Sequence, residues 1–313
     1  MKFSVVIPLY NKKAYLARCL QSVLGQSHTD FELVVVNDGS TDGGEHELAK
    51  FADGRLRVIH QSNQGVSVAR NTGVAEARHE IVFFLDADDT WEPGFLEHMT
   101  RLVDLHPQAG VYACGTRKLF ADGRAQECTL TASAFVGDTA ILRDYFQTFV
   151  DLGQSPFSNS SFGVRRETFH RAGGYTPGVR LTEDSDLWVR LALVGDMAFD
   201  PSPLANYFVE TESNTRVQAQ TADYEIIKTL RRLLAESRVP RHLRPGAERL
   251  LALQKHSQIK RLILLGRAGA AWRRLLEKDV WVQRPLATLM LALAASLPHA
   301  FFVGLRHMRA LGR

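Results

Sequence analysis

Three carboxylates, Asp86, Asp88 and Asp89, fall within four residues directly after the apolar run Ile81 to Leu85. Like charges packed that closely repel, so something must offset them. A divalent cation is the usual partner, because hard oxygen ligands suit Mg²⁺ or Mn²⁺. A strand end bearing a metal and a diphosphate would be a transferase site. The same residues also admit an architectural reading, in which Asp89 or Thr90 N-caps a helix starting near Trp91-Glu92-Pro93. A second acidic cluster, Glu183-Asp184-Ser185-Asp186, follows Thr182 at the start of a predicted helix running to Val194. A capping Thr and the helix dipole would account for those acids without any chemistry.

The elements that must position these acids are legible as strands and helices in alternation. Phe3 to Asn11 is an apolar run too short for a helix, and reads as a buried strand. Asn11 can cap an amphipathic helix over Lys12 to Leu24, with Tyr15, Leu16, Cys19, Leu20 and Val23 at helical spacing. A second strand, Phe31 to Val36, ends in Asn37-Asp38-Gly39-Ser40-Thr41-Asp42. A third, Leu56 to His60, leads through Asn63-Gln64-Gly65 into a helix containing Ala69-Arg70-Asn71, and the fourth is Ile81 to Leu85. Further on, Val111 to Phe120 predicts a strand and Asp138 to Phe149 a helix. This alternation implies βαβ units and a twisted, largely parallel sheet. Ligands of such sheets sit beyond the carboxyl ends of the strands. Pro8 to Asn11, Asp38, and Asp86 to Asp89 all lie on that edge, and three polar clusters on one rim are hard to explain as caps alone.

Together these segments carry a family resemblance. Ser4-Val-Val-Ile-Pro-Leu-Tyr-Asn11, Val36-Asn-Asp-Gly-Ser-Thr-Asp42, Gln64-Gly-Val-Ser-Val-Ala-Arg-Asn71, Leu85-Asp-Ala-Asp-Asp89 and Thr182-Glu-Asp-Ser-Asp-Leu-Trp-Val-Arg-Leu191 resemble the ordered motifs of family 2 glycosyltransferases. The resemblance covers roughly residues 1 to 220. It implies an α/β fold of the GT-A kind, Rossmann-like, with a mostly parallel twisted sheet flanked by helices. It also implies an inverting mechanism, a nucleotide-sugar donor (most often a UDP-sugar) and Mn²⁺ or Mg²⁺. On it, Asp38 would accept a hydrogen bond from uracil; an Asp-Gly turn or a cap is the other reading. Pro8 and Tyr10, with Asn11 beside them, would shape the wall around the base, and Arg70 would reach the phosphate or ribose. Asp86 and Ala87 would lie against the ribose and metal, Asp88 would coordinate the cation, and Asp89 would cap or orient. Glu183 and Asp184 take the position of the catalytic pair, with Asp184 the expected general base. Family members often place a His after the last core strand; here that position is Glu210, which as a carboxylate could serve as a metal ligand. Asn159 to Arg165 and Gly173-Gly174-Tyr175 resemble the family's acceptor-side segment.

Charge divides the chain. Residues 221 to 313 carry 18 Lys+Arg against 6 Asp+Glu, so with +4 overall the first 220 residues carry −8. We therefore expect a catalytic domain over 1–220 and a basic helical C-terminal extension over 221–313, with helices at Tyr224 to Leu234, Ala247 to Leu265 and Ala268 to Leu276. Leu286 to Leu305 is twenty residues without an acid or base and just long enough to span a bilayer, although Pro298, His299, Ala and Ser dilute it. Docking on the core, lying in an inner-membrane interface and spanning are the three readings, with basic residues drawn to anionic lipid in the second. Nucleic acid is not an expected partner, because no nucleic-acid module accompanies the basic residues. Three cysteines without metal-ligand spacing suggest a reducing compartment, and a strand beginning at residue 3 leaves no room for a signal peptide, so a cytosolic catalytic domain is expected. The expected function is transfer of one sugar to a glycan or lipid-linked acceptor in cell-envelope polysaccharide synthesis, and the reading allows an oligomer. No Gln-x-x-Arg-Trp motif marks a processive synthase. The alternatives are a catalytically inactive nucleotide-binding scaffold and a sugar nucleotidyltransferase, which should carry a Gly- and Arg-rich phosphate loop near the first strand.

Overall fold

The computed structural model describes residues 1–128, 130, 132–136, 140–179, 181–209 and 224–296. Its strands are β1 (Phe3–Leu9), β2 (Phe31–Asp38), β3 (Leu56–Gln61), β4 (Ile81–Phe84), β5 (Thr90–Trp91), β6 (Val111–Phe120), β7 (Ala125–Glu127), β8 (Phe162–Arg165) and β9 (Met197–Val209). Its helices are α1 (Lys13–Leu24), α2 (Gly44–Leu48), α3 (Val66–Glu76), α4 (Phe95–Leu105), α5 (Tyr145–Leu152), α6 (Arg166–Ala172), α7 (Glu183–Leu191), α8 (Glu225–Ala235), α9 (Arg244–Leu264), α10 (Ala268–Leu275), α11 (Lys278–Gln283) and α12 (Pro285–Ala295).

Strands β1, β2 and β4 are buried along their whole length, as largely apolar runs covered on both faces must be, and the polar Ser4 and Glu32 within them bond each other at 2.7 Å. The sheet order is β3-β2-β1-β4-β8-β6-β9-β5, with β7 beside β6. Pairing is parallel from β3 to β4, as expected, and mixed beyond it: β8 runs antiparallel to both β4 and β6, while β9 is parallel to β6. Side chains alternate between the two faces. Val6, Val34 and Phe84 join one core with α3, α7, α8 and the first half of α9. Val5, Ile7, Leu33 and Phe83 join the other with α1 and α4. Gly73 lets α3 lie directly on β1, since a Cβ there would stand 2.2 Å from Val6 Cγ1.

Several local expectations change. Asn11 does not cap α1; it adopts a positive φ of 51° and accepts from Thr41 N at 2.8 Å, while Asp42 Oδ2 accepts from Lys13 N at 2.8 Å. Thr90 and Trp91 are not a helix start but a short strand on β9, and α4 begins only at Phe95. The helix expected from Asp138 begins at Tyr145 with Asp144 as its N-cap, because Ile141 and Leu142 make β-bridges instead. The tail helices stand near their expected places. The apolar stretch from Leu286 supplies α12; residues 297–305 and Glu210 lie outside the described residues. No described helix is long and apolar enough to cross a membrane. Cys19, Cys114 and Cys128 are free and buried.

Candidate active site

The chain runs from β1 outward to β3 and then returns to β4 on the other side of β1. The crevice at such a reversal is where open α/β sheets bind ligands. Here a proline opens it. Val6 O accepts from Leu85 N at 3.0 Å, and by strand alternation Pro8 points the same way as Val6. Pro8 has no N–H to continue that ladder, so β1 and β4 part beyond Phe84. Tyr10, just past the end of β1, is 47% exposed.

The acids after β4 have different surroundings. Asp86 Oδ1 accepts from Arg70 Nη2 at 2.6 Å. Asp88 Oδ2 pairs with Lys12 Nζ at 2.5 Å, and Arg18 Nη2 donates to the Asp88 carbonyl at 2.8 Å. Asp89 is 1% exposed and accepts from Ser160 Oγ at 2.5 Å and Phe208 N at 3.2 Å. Burial, with Asp86 and Asp88 adding to it, pushes the Asp89 carboxyl well above the usual range. It does not cap α4. Ala87 is 3% exposed in the core, so only its backbone can face a ligand.

The second acidic cluster is held from an unexpected side. Thr182 does not cap α7: it takes φ 62°, and its Oγ1 accepts from Ile226 N of α8 at 3.4 Å. A β-branched residue in that region costs about 1–3 kcal/mol, which the surrounding structure must offset. Asp186 is fully buried; it accepts from Thr229 Oγ1 of α8 at 2.5 Å, Thr176 Oγ1 at 3.0 Å and Arg190 Nη2 at 2.6 Å. Asp184 Oδ1 accepts from Ser185 N at 2.6 Å and Ser185 Oγ at 3.2 Å. Glu183 stands 3.5 Å from Arg70 Nη1. Burial first, and Asp184 next, push the Glu183 carboxyl up to about 7, against the pull of Arg70.

Arg70 therefore joins the two clusters. It is 3% exposed, with Asp86 on one nitrogen and Glu183 on the other. Asn159 adds a third partner. A guanidinium can only donate, so the carboxamide oxygen of Asn159 faces Arg70 at 3.2 and 3.0 Å and its nitrogen donates to Tyr175 Oη at 2.7 Å. The Tyr175 ring covers Arg70 at 5.1 Å, and Asn71 brackets the Tyr175 backbone with bonds of 2.8 and 2.9 Å. Arg70 is thus a buried brace rather than an open cation. Asp38 is likewise engaged at 2% exposure: its oxygens accept from Gln61 Nε2, Gln64 N and Gly65 N at 2.7–2.9 Å, holding the entry to α3. A carboxylate offers about four lone-pair positions, so one further donor can still be met.

Lys12 is a site neighbour that the sequence does not single out, although it adjoins Asn11 in the first motif. Asn159, Ser160 and Tyr175 fall in the segments that resemble the acceptor side, but the sequence does not show that Ser160 holds Asp89, 71 residues away, or that Asn159 and Tyr175 face Arg70.

Asp86 and Asp88 offer hard oxygens to a divalent cation, each with one oxygen already engaged. Mg²⁺ is commonly held by one or two carboxylates together with substrate phosphates, and this pair fits that mode. Among the described residues no group of three metal-ligating side chains forms, and the Glu210 ligand expectation falls outside them.

Comparison with known proteins bears on the family and the fold. Over 114 residues the chain is 43% identical to an uncharacterized glycosyltransferase, alr2836, of Nostoc sp., covering 36% of this chain and 35% of that protein. Over 100 residues it is 40% identical to the putative glycosyltransferase EpsH of Bacillus subtilis, covering 31% and 29%. The chain thus spans about a third of the length of these curated relatives. Its fold matches the crystal structure of S. aureus TarS 1-349 in complex with UDP-GlcNAc, with a TM-score of 0.69 at 19% identity over 94% of this chain and 89% of that one. It also matches the mannosyltransferase PcManGT of Pyrobaculum calidifontis in complex with GDP-Man and Mn²⁺, at 0.58 and 17% over 93% and 85%. The fold is GT-A, with a helical C-terminal region. The family model for glycosyl transferase family 2 matches residues 4–171, more than half of the chain, and the protein belongs to that family.

Proposed function

We propose that the protein is an inverting glycosyltransferase that moves one sugar from a nucleotide donor to a hydroxyl of a glycan or lipid-linked acceptor, in cell-envelope polysaccharide synthesis at the cytosolic face of the inner membrane. The observation that carries this reading is the Arg70 brace, which links Asp86 of a metal-type carboxylate pair to Glu183, whose buried carboxyl is raised to about 7, across one crevice. A UDP-sugar is the donor we favour, because a fold neighbour is described with UDP-GlcNAc.

Each role follows from surroundings. Pro8, Tyr10 and Asn11 border the base, and Asp38 offers its remaining lone pair to a ring N–H. Asp86 and Asp88 would hold Mg²⁺ or Mn²⁺, with Glu210 as a further ligand. When bound, that ion neutralises charge building on the departing diphosphate. Lys12 adds a positive charge at the same edge. Asp184, its Oδ1 held by Ser185, has no hydrogen-bond partner on Oδ2 among the described residues, and that oxygen would take the acceptor proton as the hydroxyl attacks the anomeric carbon opposite the nucleotide. A direct displacement through oxocarbenium character inverts configuration and needs no protein nucleophile.

The test is the thermal shift of the full chain with UDP, GDP, CDP or dTDP, with and without Mn²⁺, beside Asp88→Asn. A ligand at ~100 times its dissociation constant stabilises by about 2.7 kcal/mol. We expect a shift with one nucleotide that needs both metal and Asp88. No shift with any nucleotide would overturn the donor-site reading in favour of an inactive scaffold.

A further inference from the structure

Helix α12 is inside out. A helix on a globular protein normally turns its large apolar residues to the core. Here the small residues Thr288, Ala292 and Ala295 are buried, while Leu286, Leu289, Met290 and Leu293 are 48–79% exposed. These four stand at i, i+3, i+4 and i+7, a single stripe along one face. The preceding segment continues the pattern, with Leu276 and Val282 at 78% and 67% exposure and Trp281 at 38%. Nine of the fourteen exposed large apolar side chains among the described residues lie between Leu265 and Leu293. An apolar concentration of that kind marks an interaction surface rather than ordinary scatter.

Charge narrows what the surface meets. Residues 265–296 hold Arg267, Arg273, Arg274, Lys278 and Arg284 against Glu277 and Asp279. Glu277 is neutralised within the fold: Lys255 at 3.0 Å, Arg274 at 3.0 Å and Arg231 all pair with it. Those partners hold its carboxyl below the usual range despite burial. Arg267, Arg273 and Arg284 are exposed. The unit has a core of its own behind this surface, since α10 to α12 close on the end of α9 around Ile259, Leu262, Ala271, Leu275 and Val280. A protein partner of no particular charge would be served by the apolar stripe alone. Apolar side chains, the exposed Trp272 and Trp281, and exposed arginines together match an anionic phospholipid surface.

We propose that α10–α12 form an interfacial membrane anchor, in which Leu286, Leu289, Met290 and Leu293 enter the headgroup–acyl boundary while the exposed arginines meet anionic headgroups. The inference rests on the membrane-face part of the proposed function and gives that location a physical surface. It is independent of the catalytic roles.

The experiment is flotation of the purified full chain with vesicles of phosphatidylcholine alone or of equal parts phosphatidylcholine and phosphatidylglycerol, at low and high NaCl. The wild type should float with the anionic vesicles and lose binding as salt rises. The variant Leu286→Ser/Leu289→Ser/Met290→Ser/Leu293→Ser should lose at least ~10-fold in partitioning, because the buried apolar area sets binding strength. Arg273→Glu/Arg284→Glu should lose the preference for anionic vesicles. Both variants change exposed side chains, and an unaltered thermal midpoint and nucleotide shift verify that each remains folded. Absence of wild-type flotation overturns the proposal, as does equal flotation of the serine variant. So does a serine variant that breaks a dimer in light scattering without vesicles, which would assign the face to a second copy. Flotation with no nucleotide shift would sink the catalytic reading alone, and the converse would sink only the anchor.

Discussion

The acids after β4 and the acids opening α7 share one plan and differ in what supports it. In each group one carboxylate is sunk, Asp89 at 1% exposure and Asp186 at 0%, while the neighbouring carboxylates Asp86, Asp88, Glu183 and Asp184 are half-buried. Asp89 is held by Ser160 and by the backbone of Phe208 in β9. Asp186 is held by Thr229 of α8, with Thr176 and Arg190. The donor-side group is thus anchored to the sheet, and the base-side group to a helix of the C-terminal region. That helix also receives Thr182 Oγ1 at its first turn and shares the sheet's core through Ile226, Leu230 and Leu233. A basic tail that reads as an appendage in sequence begins as part of the support for the site. Only beyond Ile259 do the helices build a core of their own.

The comparison can be broken most sharply at Asp88, which faces the crevice and anchors little. Asp88→Asn should cut turnover by at least ~10²-fold, the scale of losing one charge-stabilising group. The unliganded fold should lose no more than about 1 kcal/mol, since the Lys12 pair is partly exposed. A large fall in urea midpoint would mean that this acid is structural. Arg70 should do the opposite and report on both groups together. Arg70→Met leaves Asp86 and Glu183 without their shared cation and should cost about 3–5 kcal/mol. Arg70→Lys should recover only part, because an ammonium cannot hold both carboxylates as a planar fork does.

The contrast between sheet and helix support sharpens with a paired measurement. Thr229→Val removes a hydrogen bond to a buried carboxylate and should cost about 1.5–3 kcal/mol. Its kcat should fall while the metal-dependent nucleotide shift stays as in the wild type. Ser160→Ala, on the sheet side, should weaken that shift instead. Identical effects of the two changes would erase the distinction. A pH-dependent effect is expected at Glu183, whose carboxyl is raised from 4.5 to about 7 in the fold. Between those values the native state keeps a proton that the unfolded chain has lost, so the stability this group contributes is complete below 4.5 and gone above 7. Glu183→Gln should therefore match the wild type in acid and become progressively more stable relative to it as pH rises through that window. Urea midpoints taken across the window check this, and a difference that does not vary with pH would exclude the raised carboxyl.

Legibility followed the range of the interaction. Strands β1, β2, β3, β4 and β6 could be read within a residue or two, because continuous apolar runs and their turn residues are local signals. Helix α3 and the tail helices were readable for the same reason. Caps were not. Asn11 and Thr182 each stand beside a helix that they could cap by type and position, Asp89 precedes an expected helix that starts only at Phe95, and each turns elsewhere. Their actual partners, Thr41, Ile226 and Ser160, lie 30 to 71 residues away. The helix expected from Asp138 failed likewise, because Ile141 found a bridge partner in Ala198.

By itself the sequence determined which residues could reach the rim of the sheet, because strand alternation and βα order depend only on local pattern. It also determined the acid and basic halves of the chain and the family motifs. Only the tertiary structure decided which acid of each cluster is buried and which faces the crevice, that Arg70 is committed to Asp86 and Glu183, and that α12 turns its large side chains outward. Those outcomes depend on which groups desolvate together, and the cost of burying a charge or leaving a leucine exposed is set by neighbours that chain order does not name.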